Sequence, residues 1–311
     1  MRKLIFLVML VLSGFISAQT PLDKQPGNEV TLISPYYFGP NAFPVPEMLD
    51  GRVQRELRFE LASDYFRGYR GDNTTDLSFK LNIPLWTDRA NLTVWMPVME
   101  WFCNSEKNIQ TCRIQPAYQE EARRGHLVGD VCLSVDFQVL KERRYRPDWV
   151  LRAALKTASG GDFHLARYYD SPGYFFDTSV GKSFRINHDE IWNHRLRVAL
   201  STGFLCWQTD NGRQNDAVQF GAMAKYESRY VSVSETFAGY CGWEGQISKG
   251  GAKAHDCPMV LRTDVVGHIK KFDVLASYQY GLRDYPYHQL RVGVAYKWDI
   301  LTKFRRKKSV E

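Results

Sequence analysis

The residues whose types could carry chemistry sit in two short runs. His188, Asp189 and Glu190 lie close to His194, and Gln208-Thr209-Asp210-Asn211-Gly212-Arg213 follows soon after. Imidazole beside carboxylate can ligate a metal, but this spacing matches no compact ligand motif, and a solvated turn accounts for the same residues. A hydrolytic nucleophile needs a base within hydrogen-bond reach. Gln208 and Asp210 supply neither, and Asn211-Gly212 is a strong hairpin-turn signal. No paired nucleophile and base is found, so no catalytic residue, metal or cofactor is assigned. Asn73-Thr74-Thr75 and Asn91-Leu92-Thr93 match the glycosylation sequon and are read as chance.

Cysteine chemistry is more informative. There are six cysteines and no CxxC spacing, so a structural zinc is not indicated. Cys103 and Cys112 are close in sequence, and Cys241 and Cys257 flank a second loop. Each pair would staple a loop in an oxidising compartment. Six cysteines allow 15 pairings, so these two are proposed from locality alone. Cys132 and Cys206 fall inside regular runs and read as buried small residues.

Most of the charge that could act on a solute recurs at alternate positions. Glu56, Arg58, Glu60, Lys80, Asp136, Arg152, Lys156, Arg195, Arg197, Lys225, Glu227, Arg262, Asp264, Arg291 and Lys297 all oppose apolar residues. Successive strand side chains face opposite sides, so this alternation marks a sheet between two different solvents. Twelve runs show it, from Gln54–Tyr65 to Leu290–Trp298. The ninth, near Tyr230–Tyr240, is ambiguous in phase because Glu235 falls on the apolar side. Runs of about 10 to 13 residues exceed the usual soluble strand and suit a bilayer crossing. The fold predicted is all-β, a transmembrane antiparallel up-and-down barrel of about 12 strands. Its lumen would hold the charged positions. Mixed charges in a narrow interior line a wet path or cross-link the walls, and the sequence leaves both open.

The connections agree. With both ends on the periplasmic side, the outer connections fall near 67–73, 102–126, 159–173, 209–215, 242–257 and 283–287. The inner ones fall near 87–89, 142–147, 186–191, 228–229 and 269–271, and the longest segments all lie outside, as in outer-membrane barrels. Trp86, Trp95, Trp101, Tyr226, Tyr240, Tyr296 and Trp298 lie near run ends, where interfacial aromatics are expected.

The beginning of the chain places it. Arg2 and Lys3 precede the apolar stretch Leu4–Ile16 and small residues at Ser17-Ala18, the layout of a secretory leader. No later run is long and apolar enough to be a spanning helix. The domains expected are a signal peptide at 1–18, an N-terminal periplasmic segment at 19–51, the barrel at 52–299 and a basic tail at 300–311. Net charge is +7, but the leader cations and the tail's net +4 leave about +1 for the body, so nucleic acid is not an expected partner. The partners expected are outer-membrane lipid, the barrel-assembly machinery and a small hydrophobic solute.

Two resemblances follow. The Gln208–Arg213 run is similar to the segment of outer-membrane phospholipase A barrels that carries His, Ser and then Asn-Gly-Arg, with Gln208 at the His place and Asp210 at the Ser place. From about residue 75 to 299 the chain resembles the barrels of the meta-pathway of phenol degradation family, similar in layout to fatty-acid transporter-like channels. The residues concerned are Thr87-Asp88-Arg89 leading to Leu92-Thr93-Val94-Trp95-Met96-Pro97, then Gly129-Asp130-Val131, Leu151–Thr157 before Gly160-Gly161, and the closing strand Leu290–Trp298. That family shows Pro-Thr-Gly where this chain has Thr157-Ala158-Ser159-Gly160, and it commonly ends on an aromatic where this chain runs on past Trp298. The resemblance implies uptake of hydrophobic compounds, and the function expected is a passive channel or transport-associated barrel for small or hydrophobic solutes. A lipid-acting barrel enzyme and a structural or adhesion barrel are the alternatives.

Overall fold

A computed structural model describes residues 40–41, 44–85, 88–111, 119–160, 172–186, 193–208, 214–242, 246–249, 252–255, 257–284 and 286–299. The expected leader, the basic tail, the His188–Glu190 run and most of Gln208–Arg213 lie outside them. Fifteen strands and two short helices are described. In chain order they are β1 (Leu57–Gly68), β2 (Asn73–Pro84), β3 (Ala90–Cys103), α1 (Glu106–Thr111), α2 (Gln119–Arg123), β4 (Arg124–Leu127), β5 (Cys132–Leu140), β6 (Asp148–Lys156), β7 (Gly173–Arg185) and β8 (Arg195–Gln208). Then follow β9 (Gln214–Glu227), β10 (Val231–Gly242), β11 (Gln246–Lys249), β12 (Ala252–His255), β13 (Met259–Ile269), β14 (Phe272–Arg283) and β15 (Tyr287–Trp298).

Twelve of these strands, all but β4, β11 and β12, pair antiparallel with their neighbours in sequence. The ring closes where β1 pairs β15, from Leu57 opposite Trp298 to Gly68 opposite Tyr287. Closure matters physically. A bilayer offers no partner for an exposed N–H or C=O, and a ring has no edge to expose. The expected twelve-stranded barrel is therefore what forms, in the expected phase.

The wall is inside out relative to a soluble protein. Leu61, Leu200, Leu290 and Val292 are among the exposed apolar residues of the outer face. Glu60, Asp64, Arg152, Asp177, Arg197 and Gln279 are buried on the inner one. Glu235 resolves the ambiguous ninth run: it points outward between Val233 and Phe237 and accepts a hydrogen bond from Thr263 Oγ1 at 2.7 Å. In β3 a bulge opposite Leu77/Ser78 resets the alternation, and Pro97 sits at it, where a missing N–H is tolerated.

One end of the barrel carries short turns, such as Lys270-Lys271, where Lys270 has φ 52°. The other end carries the longer connections, which include α1, α2, β4 and the β11–β12 hairpin. A disulfide joins Cys241 to Cys257 at the base of that hairpin, as expected from locality. Cys103 is exposed with a free thiol, and Cys112, its expected partner, lies outside the described residues. Cys132 is half-buried and Cys206 buried.

Candidate functional site: a lumen crossed by its own chain

The charges inside the barrel converge on a segment that the alternation could not show. The 19–51 stretch was expected to lie outside the barrel in the periplasm. Its described residues, from Pro40, instead run through the lumen and meet inward-facing side chains at every level. Near the long-loop end, Asn41 Nδ2 donates to Asp76 Oδ2 at 2.6 Å and to Glu100 Oε2 at 2.8 Å. Halfway down, the Glu47 carboxylate pairs with Lys80 and, at 3.4 Å, with Arg262. The Glu47 carbonyl accepts from Arg152 Nη2 at 2.7 Å. Lys80, Arg152 and Arg262 belong to β2, β6 and β13, so one strap residue ties together three separated parts of the wall.

The tightest grip is near the short-turn end. Arg197 is fully buried. It donates to the Asp50 carbonyl at 2.8 Å and to Ser183 Oγ at 2.7 Å, and it pairs with Asp148 at 2.9 Å and Glu142 at 3.2 Å. The Asp50 carboxylate pairs with Arg52 at 2.5 Å and Lys225 at 3.3 Å. Arg52 and Lys225 both reach Glu227. Gln138 closes the cluster, donating from Nε2 to the Gly51 carbonyl at 2.8 Å and accepting from the Val53 N–H at 3.0 Å. Three cations, Arg52, Arg197 and Lys225, thus face carboxylates on both strap and wall, while Arg152, further up, pairs with Asp177 of the wall and donates to the strap's Glu47 carbonyl. Buried charges are tolerated only when paired in this way.

Backbone shape permits the fit. Gly51 has φ 86°, a left-handed conformation that costs any other residue about 1–2 kcal/mol. A Cβ there would also meet the Gly181 backbone nitrogen at 2.6 Å. Reciprocally, a Cβ on Gly181 would meet the Asp50 carbonyl at 2.2 Å. Two facing glycines therefore let the strap lie directly on β7. Higher up, Met48 occupies the space that a side chain at Gly221 would fill. Val45, Pro46 and Met48 face Ser201, Gln219 and Phe220 across a small cavity.

The strap does not fill the lumen evenly. It lies against the β5–β9 side. Glu47 also reaches across to Lys80 and Arg262, and Arg52, Lys80, Lys225, Arg262 and Arg291 keep about 30, 25, 25, 21 and 27% of their side-chain surface exposed, so polar groups on both sides of the strap stay partly exposed.

The remaining predicted positions are placed as follows. Arg58 pairs with Glu60, and Arg291 reaches Glu60 at 3.5 Å and Asp64 at 3.8 Å. Asp136 accepts from Asn91 and Ser134, and Asp264 from Ser234 and Ser277. Lys156 pairs with Asp130, and Lys297 with Asp273 at 2.7 Å. Arg195 stands at the short-turn rim beside Asn193, and Glu56 immediately precedes β1. His194, from the candidate metal cluster, instead shares a hydrogen bond with the Tyr226 hydroxyl at 2.5 Å. Glu47, Asp50 and Arg52 escaped sequence reasoning because the irregular segment before β1 has no periodicity. The legible signal was Gly51 beside charged residues of both signs.

No protein-family model matches the chain, and no curated protein matches it. Solved structures do. A COG4313 outer membrane channel from Pseudomonas putida F1 aligns over 81% of this chain and 100% of its own, with TM-score 0.54 and 11% identity. The NanC porin aligns over 77% of this chain and 99% of its own, with TM-score 0.47 and 11% identity. The translocator domain of the autotransporter NalP from Neisseria meningitidis aligns over 79% of this chain and 89% of its own, with TM-score 0.41 and 12% identity. At such identities the first likeness establishes a shared barrel fold.

Proposed function

We propose that this chain is an outer-membrane channel for small polar solutes whose conductance is limited by its own lumen strap. One observation carries the reading: beyond the buried apolar cluster that takes Val45 with Phe66, Phe175 and Trp207 at the long-loop end, the strap is held to the lumen wall through side-chain ion pairs and hydrogen bonds. Ion pairs can exchange partners as the strap shifts, so most of its hold on the wall can be released without unfolding the barrel. The apolar outer face and the closed ring suit a bilayer. The resemblance to the phenol meta-pathway barrels supports a role in uptake. The charged lining favours small polar cargo over the hydrophobic solutes that the resemblance implies. The barrel-assembly machinery and outer-membrane lipid would be its partners in reaching that membrane.

The test is a liposome-swelling series with purified protein. Small sugars and carboxylates should enter slowly and larger oligosaccharides not at all. No swelling with any solute, from a barrel shown to be folded by heat-modifiable gel migration, would sink the channel reading. Recovery of the protein from the soluble periplasm would sink the membrane reading.

A further inference from the structure

A second constellation lies at the short-turn end, next to the strap's Arg52–Glu227 pair, since Ser232 is directly opposite Glu227 across β9 and β10. Ser232 on β10, His268 on β13 and Asp273 on β14 all face the lumen. Register brings them together. His268 lies directly opposite Asp273 across the β13–β14 hairpin, and Ser232 lies opposite Val266, two residues before His268 on the same face. His268 Nδ1 is 2.8 Å from Asp273 Oδ1, and His268 Nε2 is 3.2 Å from Ser232 Oγ. Asp273 and Ser232 are buried, while His268 keeps about 29% of its side chain exposed to the lumen. Lys297 Nζ at 2.7 Å and Arg58 Nε at 3.7 Å hold the Asp273 carboxylate in place.

We propose that Ser232, His268 and Asp273 form a hydrolytic triad acting on small water-soluble carboxylic esters that enter from the short-turn mouth. Geometry and roles identify such a triad, not sequence order. Asp273 accepts from Nδ1–H, which fixes the tautomer and leaves the Nε2 lone pair facing the serine hydroxyl. Ser232 Oγ attacks the ester carbonyl carbon as its proton passes to Nε2, and the carbonyl π electrons move onto oxygen. Collapse of that oxyanion breaks the C–O bond to the alcohol, which leaves with the proton from Nε2. Water then attacks the acyl-Ser232 carbonyl, gives its proton to Nε2, and releases the carboxylic acid as the serine is restored. The co-reactant is water. Asp273 is a positioning residue. The proposal does not depend on conduction.

The experiment uses the folded full-length barrel in detergent. A fluorophosphonate probe should label it, with mass spectrometry placing the adduct on Ser232, and p-nitrophenyl acetate should be hydrolysed. Ser232→Ala should abolish the adduct. His268→Asn should lower labelling and hydrolysis at least about 100-fold. Asp273→Asn should slow both and move the acid limb of the pH–rate profile to lower pH, a change that mere loosening of the wall would not give. Heat-modifiable migration verifies that each variant is folded. Absence of an adduct on Ser232 in the folded parent overturns the assignment, and so does ester hydrolysis unchanged in Ser232→Ala.

Discussion

The most direct consequence of the lumen strap concerns Asp50. Its carboxylate pairs with Arg52 at 2.5 Å, Lys225 at 3.3 Å and Arg197 at 3.7 Å. Asp50→Asn removes that charge without changing volume. Losing one partner of a buried pair typically costs 3–5 kcal/mol. Here the stranded cations retain other carboxylates: Glu227 for Arg52 and Lys225, Asp148 and Glu142 for Arg197. Lys225 also keeps a quarter of its side chain exposed. The expected loss is accordingly about 2 kcal/mol, a shift of about 30-fold toward a displaced strap. If the displaced state is about 1% of the parent, it becomes about a quarter of the variant. Glu47→Gln acts on a separate set of partners, Lys80 and Arg262, so its effect should add. The assay is single-channel recording in planar bilayers. Open probability should rise in Asp50→Asn and rise again in the double variant, with the open-state conductance unchanged between them. Parent-like records from a folded double variant would show that these ion pairs do not hold the strap.

Three further outcomes follow. Gly51→Ala places a Cβ against the Gly181 backbone and forces a left-handed alanine, so it should raise the open probability while leaving the heat-modifiable barrel intact. Glu235→Leu removes a carboxylate from the outer face among apolar neighbours, so it should stabilise the barrel in lipid by about 1 kcal/mol, read from urea unfolding in vesicles. Glu142, in the turn between β5 and β6, is pressed upward by burial, but hydrogen bonds from Ser183 and the Lys182 ammonium outweigh this and hold its carboxyl below the usual 4.5. A lowered folded pKa contributes stability above the unfolded value that is lost as pH falls through the folded one. Resistance to unfolding should therefore drop in acid below about pH 4, and Glu142→Gln should flatten that limb.

The barrel was legible because two solvents write on alternate residues. Leu57, Phe59 and Leu61 against Arg58 and Glu60 already tell which side meets lipid. Closure adds no new residue type. Glu235 was the one position in its run where residue type and phase conflicted, and the phase was right: the carboxylate faces outward, satisfied locally by Thr263. The triad candidate was illegible for a different reason. Ser232, His268 and Asp273 lie on three strands, and only the register between strands brings them within hydrogen-bond reach. Combining inward phase with the short turn at Lys270-Lys271 would have paired His268 with Asp273, leaving Ser232 as the missing step.

Lumen charge carries the deeper ambiguity. Alternation reports that a side chain faces a polar medium, and it cannot tell water from a second piece of chain. Arg197 shows the difference. As a lumen residue of a water-filled pore it would be hydrated, yet it is fully buried and spends its donors on Asp148, Glu142, Ser183 and the strap's Asp50 carbonyl. Arg291, equally inward by phase, reaches Glu60 and Asp64 and keeps about a quarter of its side chain exposed. Of the two candidate roles for a mixed-charge lumen, the cross-linked wall is the one these ion pairs display at both positions. Gly51 and Gly181 set where the strap rests, since only a bare β7 surface lets it lie so close. A bulky residue at position 181 presses on the same contact as Gly51→Ala, so it should likewise displace the strap and raise the open probability in single-channel records, as Asp50→Asn does.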